Sequence, residues 1–236
     1  MDISEFVKNG DQYFLPNLSI DLVIIGYSDA KLKCLLLKIG KKWLLPGGYV
    51  QRNESVEDAA QRILKSRAGL EDTFLKFLAV FGSEDRQFKS FLEQFAINEH
   101  IHLDQKSWLT DRFVSLTYYA LVNYEEIFPT TGDFDKAFGW FDFKNLPEMW
   151  MDHNTIVNTA RIQLITDIQH EYHAHNLLSE SFTMPELHKL YETILGDRID
   201  RSRFQKKMLS TGLYKRLPKL NKNTPGRKPY QYRAKK

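Results

Sequence analysis

Apolar residues in the first part of the chain fall into short runs with the length of β-strands. Their length and their content of Val, Ile, Leu and Phe predict strands rather than helices. The runs are Ile20–Tyr27, Leu32–Ile39, Phe74–Phe81, Val114–Val122 and Phe138–Phe143. This half of the pattern therefore predicts a body built on a sheet.

A helical spacing follows the glycine stretch Pro46–Gly48. Five apolar residues recur at intervals of three and four positions, namely Val56, Ala59, Ala60, Ile63 and Leu64. The spacing predicts a helix over Ser55–Arg67 with one apolar face on the core. The glycines are interpreted as a turn whose backbone can approach a ligand or a metal closely. Further helices are predicted over Lys89–Glu99 and from Asp152 to about Asn176, whereas residues 1–18 are interpreted as a cap on the body.

The C-terminal pattern predicts two short helices and a hairpin. Thr183 and Glu186 form a capping box before an apolar helical face, and Gly196 ends that helix. Asp200 precedes a second helix, Arg201–Ser210, in which Phe204 and Met208 face inward. Strands predicted over Leu213–Leu220 and Lys228–Arg233 complete a winged helix-turn-helix. We therefore predict two domains, residues 1–176 and 177–236.

Charge divides the chain in the same way. Residues 182–236 carry 15 Lys and Arg against 4 Asp and Glu, whereas residues 1–181 carry 18 against 26. An acidic body with a basic appendage indicates nucleic-acid binding. Phosphate neutralisation and base reading are assigned to these residues of the basic module: Thr183, Arg201, Ser202, Arg203, Gln205, Lys206, Lys207, Ser210, Arg227, Lys228 and Tyr230. A winged helix that binds another protein is the alternative interpretation.

The remaining composition narrows the class of protein. The 236 residues contain a single cysteine, Cys34, which excludes an internal disulfide and is interpreted as a buried thiol. No apolar run approaches the roughly 18 residues of a membrane span, and the N-terminus lacks a signal-peptide pattern. A cytoplasmic protein without a membrane partner is predicted. His170, His173 and His175 are close in sequence, but a solvated helix end is the favoured interpretation over a metal site.

One motif resembles a known family. Gly48, Glu54, Arg62, Gly69 and Leu70 match the frame of the Nudix box, G-x5-E-x7-R-E-U-x-E-E-x-G-U, where U is a bulky aliphatic residue. The resemblance covers about residues 15–175 and implies an α/β/α sandwich with a mixed sheet. Followed by the winged helix-turn-helix, this gives an α+β fold.

The departure from the motif predicts that catalysis is lost. Nudix enzymes hydrolyse diphosphates and use the glutamates of R-E-U-x-E-E to hold Mg²⁺. This chain has Ile63, Ser66 and Arg67 at those positions. Magnesium requires oxygen ligands, of which Ile63 offers none, and Arg67 would repel the cation. The sequence therefore predicts no catalytic residue, no metal site and no cofactor, and Glu54 with Arg62 is interpreted as a structural ion pair.

The combination of a degenerate Nudix domain and a winged helix is similar to the Nudix-related transcriptional regulators of the NrtR and AraR types. That resemblance implies a homodimer on a double-stranded DNA operator and a small-molecule effector in the Nudix domain. The effector is predicted to be a pentose such as arabinose or an ADP-ribose-like molecule, with the loss of the magnesium carboxylates slightly favouring the sugar. Its candidate contacts are Trp43, Arg52, Arg86, Arg112, Asp152 and His153.

Two other functions fit parts of the sequence. A residual pyrophosphohydrolase with a nucleic-acid anchor would still turn over ADP-ribose with Mg²⁺. An RNA-binding or scaffold protein would prefer single-stranded RNA to duplex DNA. Effector identity, operator sequence and the sign of regulation are not predicted.

Overall fold

Six helices and ten strands occupy the described part of the chain. The computed structural model describes residues 2–71, 73–98, 107–127, 129, 137–171, 173–219 and 229–235. The helices are α1 (Ile3–Asn9), α2 (Val56–Ala68), α3 (Lys89–Asn98), α4 (His153–Asp167), α5 (Met184–Leu195) and α6 (Arg201–Ser210). The strands are β1 (Phe14–Ser28), β2 (Lys31–Ile39), β3 (Lys42–Leu44), β4 (Gly47–Gln51), β5 (Lys76–Phe81), β6 (Val114–Leu121), β7 (Ala137–Asp142), β8 (Phe182–Thr183), β9 (Tyr214–Lys219) and β10 (Tyr230–Ala234).

Strand β1 holds the larger sheet together because it pairs with three other strands. Strand β6 runs parallel to it over Leu18–Ile25, and β4 and β2 pair antiparallel with its first and last parts. Strand β5 extends the sheet beyond β6, while β3 and β7 pair with β2. The result is the mixed sheet predicted from the sequence.

Alternate side chains of β1 enter two different cores, as the two-residue period of a strand requires. Ile20, Leu22 and Ile24 pack with the apolar face of α2. Val23 and Ile25 pack on the opposite face of the sheet with α4. Helices therefore cover both faces, and the predicted α/β/α sandwich is confirmed.

The C-terminal module has the predicted winged-helix elements. Thr183 and Glu186 form both bonds of the capping box at the start of α5, and Gly196 ends the helix in the left-handed region at φ 78°. Asp200 caps α6 by accepting a bond from the Arg203 N–H at 2.7 Å. Strands β8, β10 and β9 form a second, antiparallel sheet.

The predicted glycine turn is wrong, because Gly47 and Gly48 lie inside strand β4. They pair with Asp21 and Ile20 of β1, and the turn follows at residues 52–54. A Cβ on Gly47 would lie 2.7 Å from the Ile20 carbonyl oxygen, and one on Gly48 would lie 3.0 Å from Ile63 Cγ1. Glycine is therefore required here by close packing of β4 on β1 and α2 rather than by a turn.

The ends of the body also differ from prediction. Helix α4 ends at Asp167, and the segment predicted to continue it contains the separate 3₁₀ turn His173–Leu177. Ala174 and Leu177 of that turn are buried, and their packing in the core explains why the chain does not continue as a helix. Residues predicted only as a cap form α1 and the beginning of β1. Within the described residues, no helix is both long enough and apolar enough to cross a membrane.

Candidate functional site

A cavity of about 440 Å³ opens between β1, β4, α2 and the N-terminal segment. Its volume lies in the usual range for small-molecule sites. Aromatic side chains form one wall, and Phe6, Phe14 and Tyr49 pack there with ring centroids 5.7–5.9 Å apart. Its charged lining residues are Asp2, Asp21, Arg62, Arg67 and Arg86. The cavity therefore combines an apolar surface with guanidinium and carboxylate groups.

A buried network of charges lies at the inner end of this cavity. Arg86, 2% exposed, donates from Nη2 to Asp21 at 2.6 Å and from Nε to Asp152 at 2.9 Å. The Ser115 hydroxyl donates to the same Asp21 oxygen at 2.5 Å. Two carboxylates thus compensate for the burial of the arginine and fix its direction, while the Ser115 hydroxyl satisfies Asp21.

His153 completes the network as a neutral side chain. Its Nδ1 accepts the N–H of Leu45 at 2.9 Å, and its Nε2 lies 3.5 Å from Arg86 Nη2 and 3.9 Å from Asp21. Burial lowers the pKa of His153, against the opposing effect of Asp21. Burial alone would raise the pKa of Asp21. The charges around it and the hydrogen bonds that it accepts from Ser115 and Arg86 outweigh this effect, so its pKa lies below the usual value. Asp21 is therefore ionised and His153 uncharged at neutral pH.

The ion pair predicted from the Nudix-like motif is present at the start of α2. Arg62 donates from Nε and Nη2 to Glu54 at 2.9 and 2.6 Å, and from Nη2 to the Tyr49 carbonyl at 2.8 Å. The Arg62 guanidinium holds the pKa of Glu54 below its usual range. The pair ties the loop after β4 to the helix, which supports the structural role predicted for it.

The magnesium site implied by the motif can be tested on its donor groups. Ile63 is 1% exposed and packs against Gly48, so its position offers only carbon. The Ser66 hydroxyl donates to the Ile63 carbonyl at 3.0 Å, and Arg67 donates from Nε to the Gly47 carbonyl at 3.3 Å. Within the described ranges, no group of three or more His, Cys, Asp and Glu side chains is placed to hold a metal ion. These residues do not fit Mg²⁺, which requires several carboxylate or phosphate oxygens.

The predicted effector contacts separate into two groups. Arg86 and His153 line the cavity, and Asp152 is bonded to Arg86. Among the described residues, the cavity lining does not include Trp43, Arg52 or Arg112.

Each of the three displaced side chains has a local explanation. Trp43 packs against Phe141 with ring centroids 4.5 Å apart. Arg52 donates two bonds to the Asp11 carbonyl, at 2.8 and 2.9 Å. Arg112 is exposed beside Asp111. This cavity gives no support to their predicted contact with the effector, which stays a prediction.

Several lining residues were not predicted, and the signals for them differ. Asp21 lies within the apolar run of β1, where a lone carboxylate indicates a buried polar function. Arg62 and Arg67 are separated by five positions on α2, and Tyr49 precedes them in β4. The charges of both Arg67 and Arg86 act on the Tyr49 hydroxyl, whose pKa burial raises. Both cations therefore lie near one wall of the cavity.

The second candidate site is the free face of α6. Phe204 and Met208 are buried against the module, 5% and 1% exposed. Their orientation leaves the other predicted residues of the helix in solvent, as expected from helical spacing. These exposed residues are Arg201, Ser202, Arg203, Gln205, Lys206, Lys207 and Ser210.

The remaining predicted DNA contacts differ in their exposure to solvent. Thr183 is buried and its hydroxyl serves the capping box, so the structure does not support its predicted contact with DNA. Tyr230 is half-buried beneath Arg216, whose guanidinium carbon lies 3.3 Å from the ring centroid. Arg227 and Lys228 lie outside the described residues. Lys215, Arg216 and Lys219 on β9 are exposed and add positive charge that was not assigned to the interface.

Two family models match this chain. The model of the NUDIX domain matches residues 20–159, which is more than half of the sequence. The chain belongs to the Nudix family. A second model, the NrtR DNA-binding winged helix domain, matches residues 174–234. Both parts of the predicted resemblance, a Nudix domain and an NrtR-type winged helix, are thereby confirmed, whereas the boundary at residue 176 stays a prediction.

Individual proteins resemble this Nudix chain at low identity. The ADPR responsive transcriptional repressor NtrR of Acinetobacter baylyi is 22% identical over 210 residues, covering 85% of this chain and 75% of that protein. An ADP-ribose pyrophosphatase of Methanocaldococcus jannaschii is 27% identical over 150 residues, covering 61% and 73%. The crystal structure of Shewanella oneidensis NrtR with a 27mer DNA is similar in fold, with a TM-score of 0.71, 23% identity and coverage of 92% and 93%.

Proposed function

We propose that this Nudix chain is a DNA-binding transcriptional repressor whose activity responds to an ADP-ribose-like effector. The observation that carries the proposal is the joining of two parts. A Nudix domain has Ile63, Ser66 and Arg67 at its metal-binding positions, and a winged helix presents a basic face on α6. The domain keeps a cavity of ligand size but lacks the donor groups of the hydrolytic reaction.

The DNA-binding part is supported by charge and by family. Helix α6 places Arg203 and Lys206 in solvent on the side opposite Phe204 and Met208. Such a helix enters the major groove while neighbouring cations neutralise phosphates. The relative in Acinetobacter baylyi is named a transcriptional repressor, which supports the sign of the regulation. A homodimer on a pseudo-palindromic operator belongs to the same proposal.

The effector class is supported by the cavity and by the names of relatives. Both the Acinetobacter repressor and the Methanocaldococcus enzyme are named for ADP-ribose. The aromatic wall around Phe6 and Tyr49 suits a planar base, and the cationic side around Arg67 suits a diphosphate. A pentose, the sugar that the sequence slightly favoured, receives no such support from the relatives.

The DNA-binding part is tested by fluorescence anisotropy with duplex DNA from upstream of the protein's own gene. The wild-type protein is expected to bind with a steep salt dependence, because phosphate neutralisation releases counterions. The double variant Arg203→Ala, Lys206→Ala should weaken binding and lower the slope of log K against log salt by about 2 for each protomer, or about 4 for the proposed homodimer, because each lost phosphate contact removes about 0.9 from the slope. The control Lys41→Ala removes an exposed charge from the Nudix domain and should bind like wild type. Equal binding of the double variant would show that α6 is not the recognition helix.

Hydrolysis is a second candidate function, favoured by the likeness to the Methanocaldococcus ADP-ribose pyrophosphatase. Incubation with ADP-ribose and Mg²⁺ distinguishes the two. If the protein is only a sensor, it should release no AMP from ADP-ribose. Turnover that disappears in Glu54→Gln would establish an enzyme. Preference for single-stranded RNA in the anisotropy experiment would instead favour an RNA-binding protein.

A further inference from the structure

We propose that Leu209 of α6 is a specificity-determining residue, which reads a thymine in the operator by contact with the C5-methyl group of the base. The inference deepens the proposed function and rests on α6 being the recognition helix of a DNA-binding regulator. The residues assigned to DNA on this helix are all polar or charged, so Leu209 adds an apolar contact to them.

The first step of the argument is the exposure of Leu209. Helix α6 contains three large apolar residues, of which Phe204 and Met208 are buried in the module. Leu209 is 42% exposed, so much of its surface is available to a partner. A single exposed leucine is common on protein surfaces, and its meaning therefore depends on the face of the helix that carries it.

The second step is the direction of Leu209. It follows Lys206 by three positions and Ser202 by seven, spacings that place all three residues on one face of a helix. That face is turned away from the buried Phe204 and toward solvent. The exposed cations of α6 attract the phosphate backbone of DNA to this face, and the face then enters the major groove. Leu209 would enter the groove with them.

The third step is the chemistry that the major groove offers to such a side chain. Thymine is the base that presents a methyl group there, whereas the other base edges present hydrogen-bond donors and acceptors. The side chain of leucine has neither donor nor acceptor, so it gains free energy in the groove by burying apolar surface. Against the amino group of cytosine it would displace water without replacing the lost hydrogen bonds, which costs free energy. Leu209 therefore favours thymine over cytosine.

The neighbours of Leu209 also suit A·T base pairs. Gln205 lies one turn before it, is exposed, and carries an amide of the kind that binds adenine N6 and N7 together. Ser210, by contrast, donates its hydroxyl proton to the Lys207 carbonyl at 2.8 Å, which engages that proton within the helix. The C-terminal half of α6 thus presents an amide and an apolar side chain, which complement adenine and thymine.

Fluorescence anisotropy with thymine and uracil versions of the upstream duplex tests the proposal. Uracil pairs as thymine does but lacks the C5-methyl group. The full-length wild-type protein should bind the uracil duplex about fourfold more weakly for each methyl group contacted, the effect of losing the burial of one methyl group. Leu209→Ala should weaken binding to the thymine duplex and lower the ratio of the two Kd values by the same factor. Leu209→Met should keep the ratio, because it retains an apolar side chain of similar volume.

Two controls separate this contact from general effects on binding. Ile97→Ala removes an exposed apolar side chain from α3 of the Nudix domain and should leave both Kd values unchanged. The salt slope of Leu209→Ala should equal that of wild type, because no phosphate contact is lost, in contrast to the double variant of Arg203 and Lys206. Thermal denaturation verifies that each variant is folded.

The outcomes distinguish this inference from the proposed function. Replacement of single thymines by uracil should weaken the binding of wild type, but not of Leu209→Ala, at one position in each half-site. A Kd ratio that is the same in wild type and Leu209→Ala would overturn the inference alone, because the protein would still bind DNA. If wild type binds neither duplex at low salt, the proposed DNA-binding function fails and the inference fails with it.

Discussion

At the scale of single residues, the buried charged group of Asp21, Arg86 and Asp152 determines the geometry of the inner end of the cavity. Arg86 is almost fully buried, and the carboxylates of Asp21 and Asp152 reach it from distant parts of the chain. A buried ion pair costs desolvation energy, and removing one partner leaves an uncompensated charge. The network therefore fixes the geometry of the cavity more than it adds to stability.

Asp21→Asn tests this account. It should destabilise the fold by about 3 kcal/mol at neutral pH, because Arg86 loses one of its two counter-charges. The pKa of Asp21 in the folded state lies below its ordinary value, so its stabilising effect is complete above the unfolded pKa and disappears as pH falls through the folded pKa. Urea denaturation from pH 7 to pH 3 measures this difference. Asp29→Asn, which removes an exposed ion pair with Lys33, should have a smaller effect.

Of the five residues in this network, the sequence predicted Arg86, Asp152 and His153 as effector contacts and missed Asp21 and Ser115 for a physical reason. Arg86 and Asp152 were predicted because they are charged residues around the pocket that the Nudix resemblance implies. Asp21 was missed because it lies inside an apolar strand run, and Ser115 has no local signal. Their contacts span 65 and 94 positions, a distance over which residue spacing carries no information about contact.

At the scale of elements, local sequence patterns predicted where α5 and α6 begin but did not predict strand β4. The capping box of α5 and the cap of α6 are determined by residues three positions apart, so their starts could be predicted directly. Strand β4 could not, because its glycines are explained by contacts with β1 and α2 that are formed only in the folded chain. The same dependence on tertiary packing ends α4 at Asp167.

Thr183→Ala distinguishes the two roles assigned to Thr183. Loss of the cap on α5 should cost about 1 kcal/mol of stability and leave the salt slope of DNA binding unchanged. Thermal denaturation and fluorescence anisotropy measure the two effects. Ser55→Ala, which removes the corresponding cap from α2, is the matched control. Weaker DNA binding by Thr183→Ala alone, with a reduced slope, would restore the contact predicted from the sequence.

At the scale of the whole molecule, α4 connects the two candidate sites. Its first residue, His153, belongs to the buried network, and Asp152 before it binds Arg86. Its buried side chains Ile156, Ala160 and Leu164 share one core with α5 of the winged helix. Fifteen residues span roughly 22 Å. A ligand that changes the contacts of Arg86 would therefore act directly on the start of the helix on which the DNA-binding module packs.

The far end of α4 offers the test of this connection. Asp167 accepts a bond from the Tyr119 hydroxyl and is paired with Lys76 at 2.9 Å. Tyr119→Phe removes the hydroxyl that Asp167 binds and should loosen that end of α4. A loosened α4 should couple the cavity less strongly to α5, so the factor by which ADP-ribose changes DNA affinity should fall. Anisotropy titrations of DNA with and without ADP-ribose measure the factor. Tyr118→Phe, whose ring packs in the core on the opposite face of the same strand, should keep it unchanged. Linkage requires the same factor for DNA acting on ADP-ribose affinity, and an unaltered factor in Tyr119→Phe would show that the coupling does not pass through this contact.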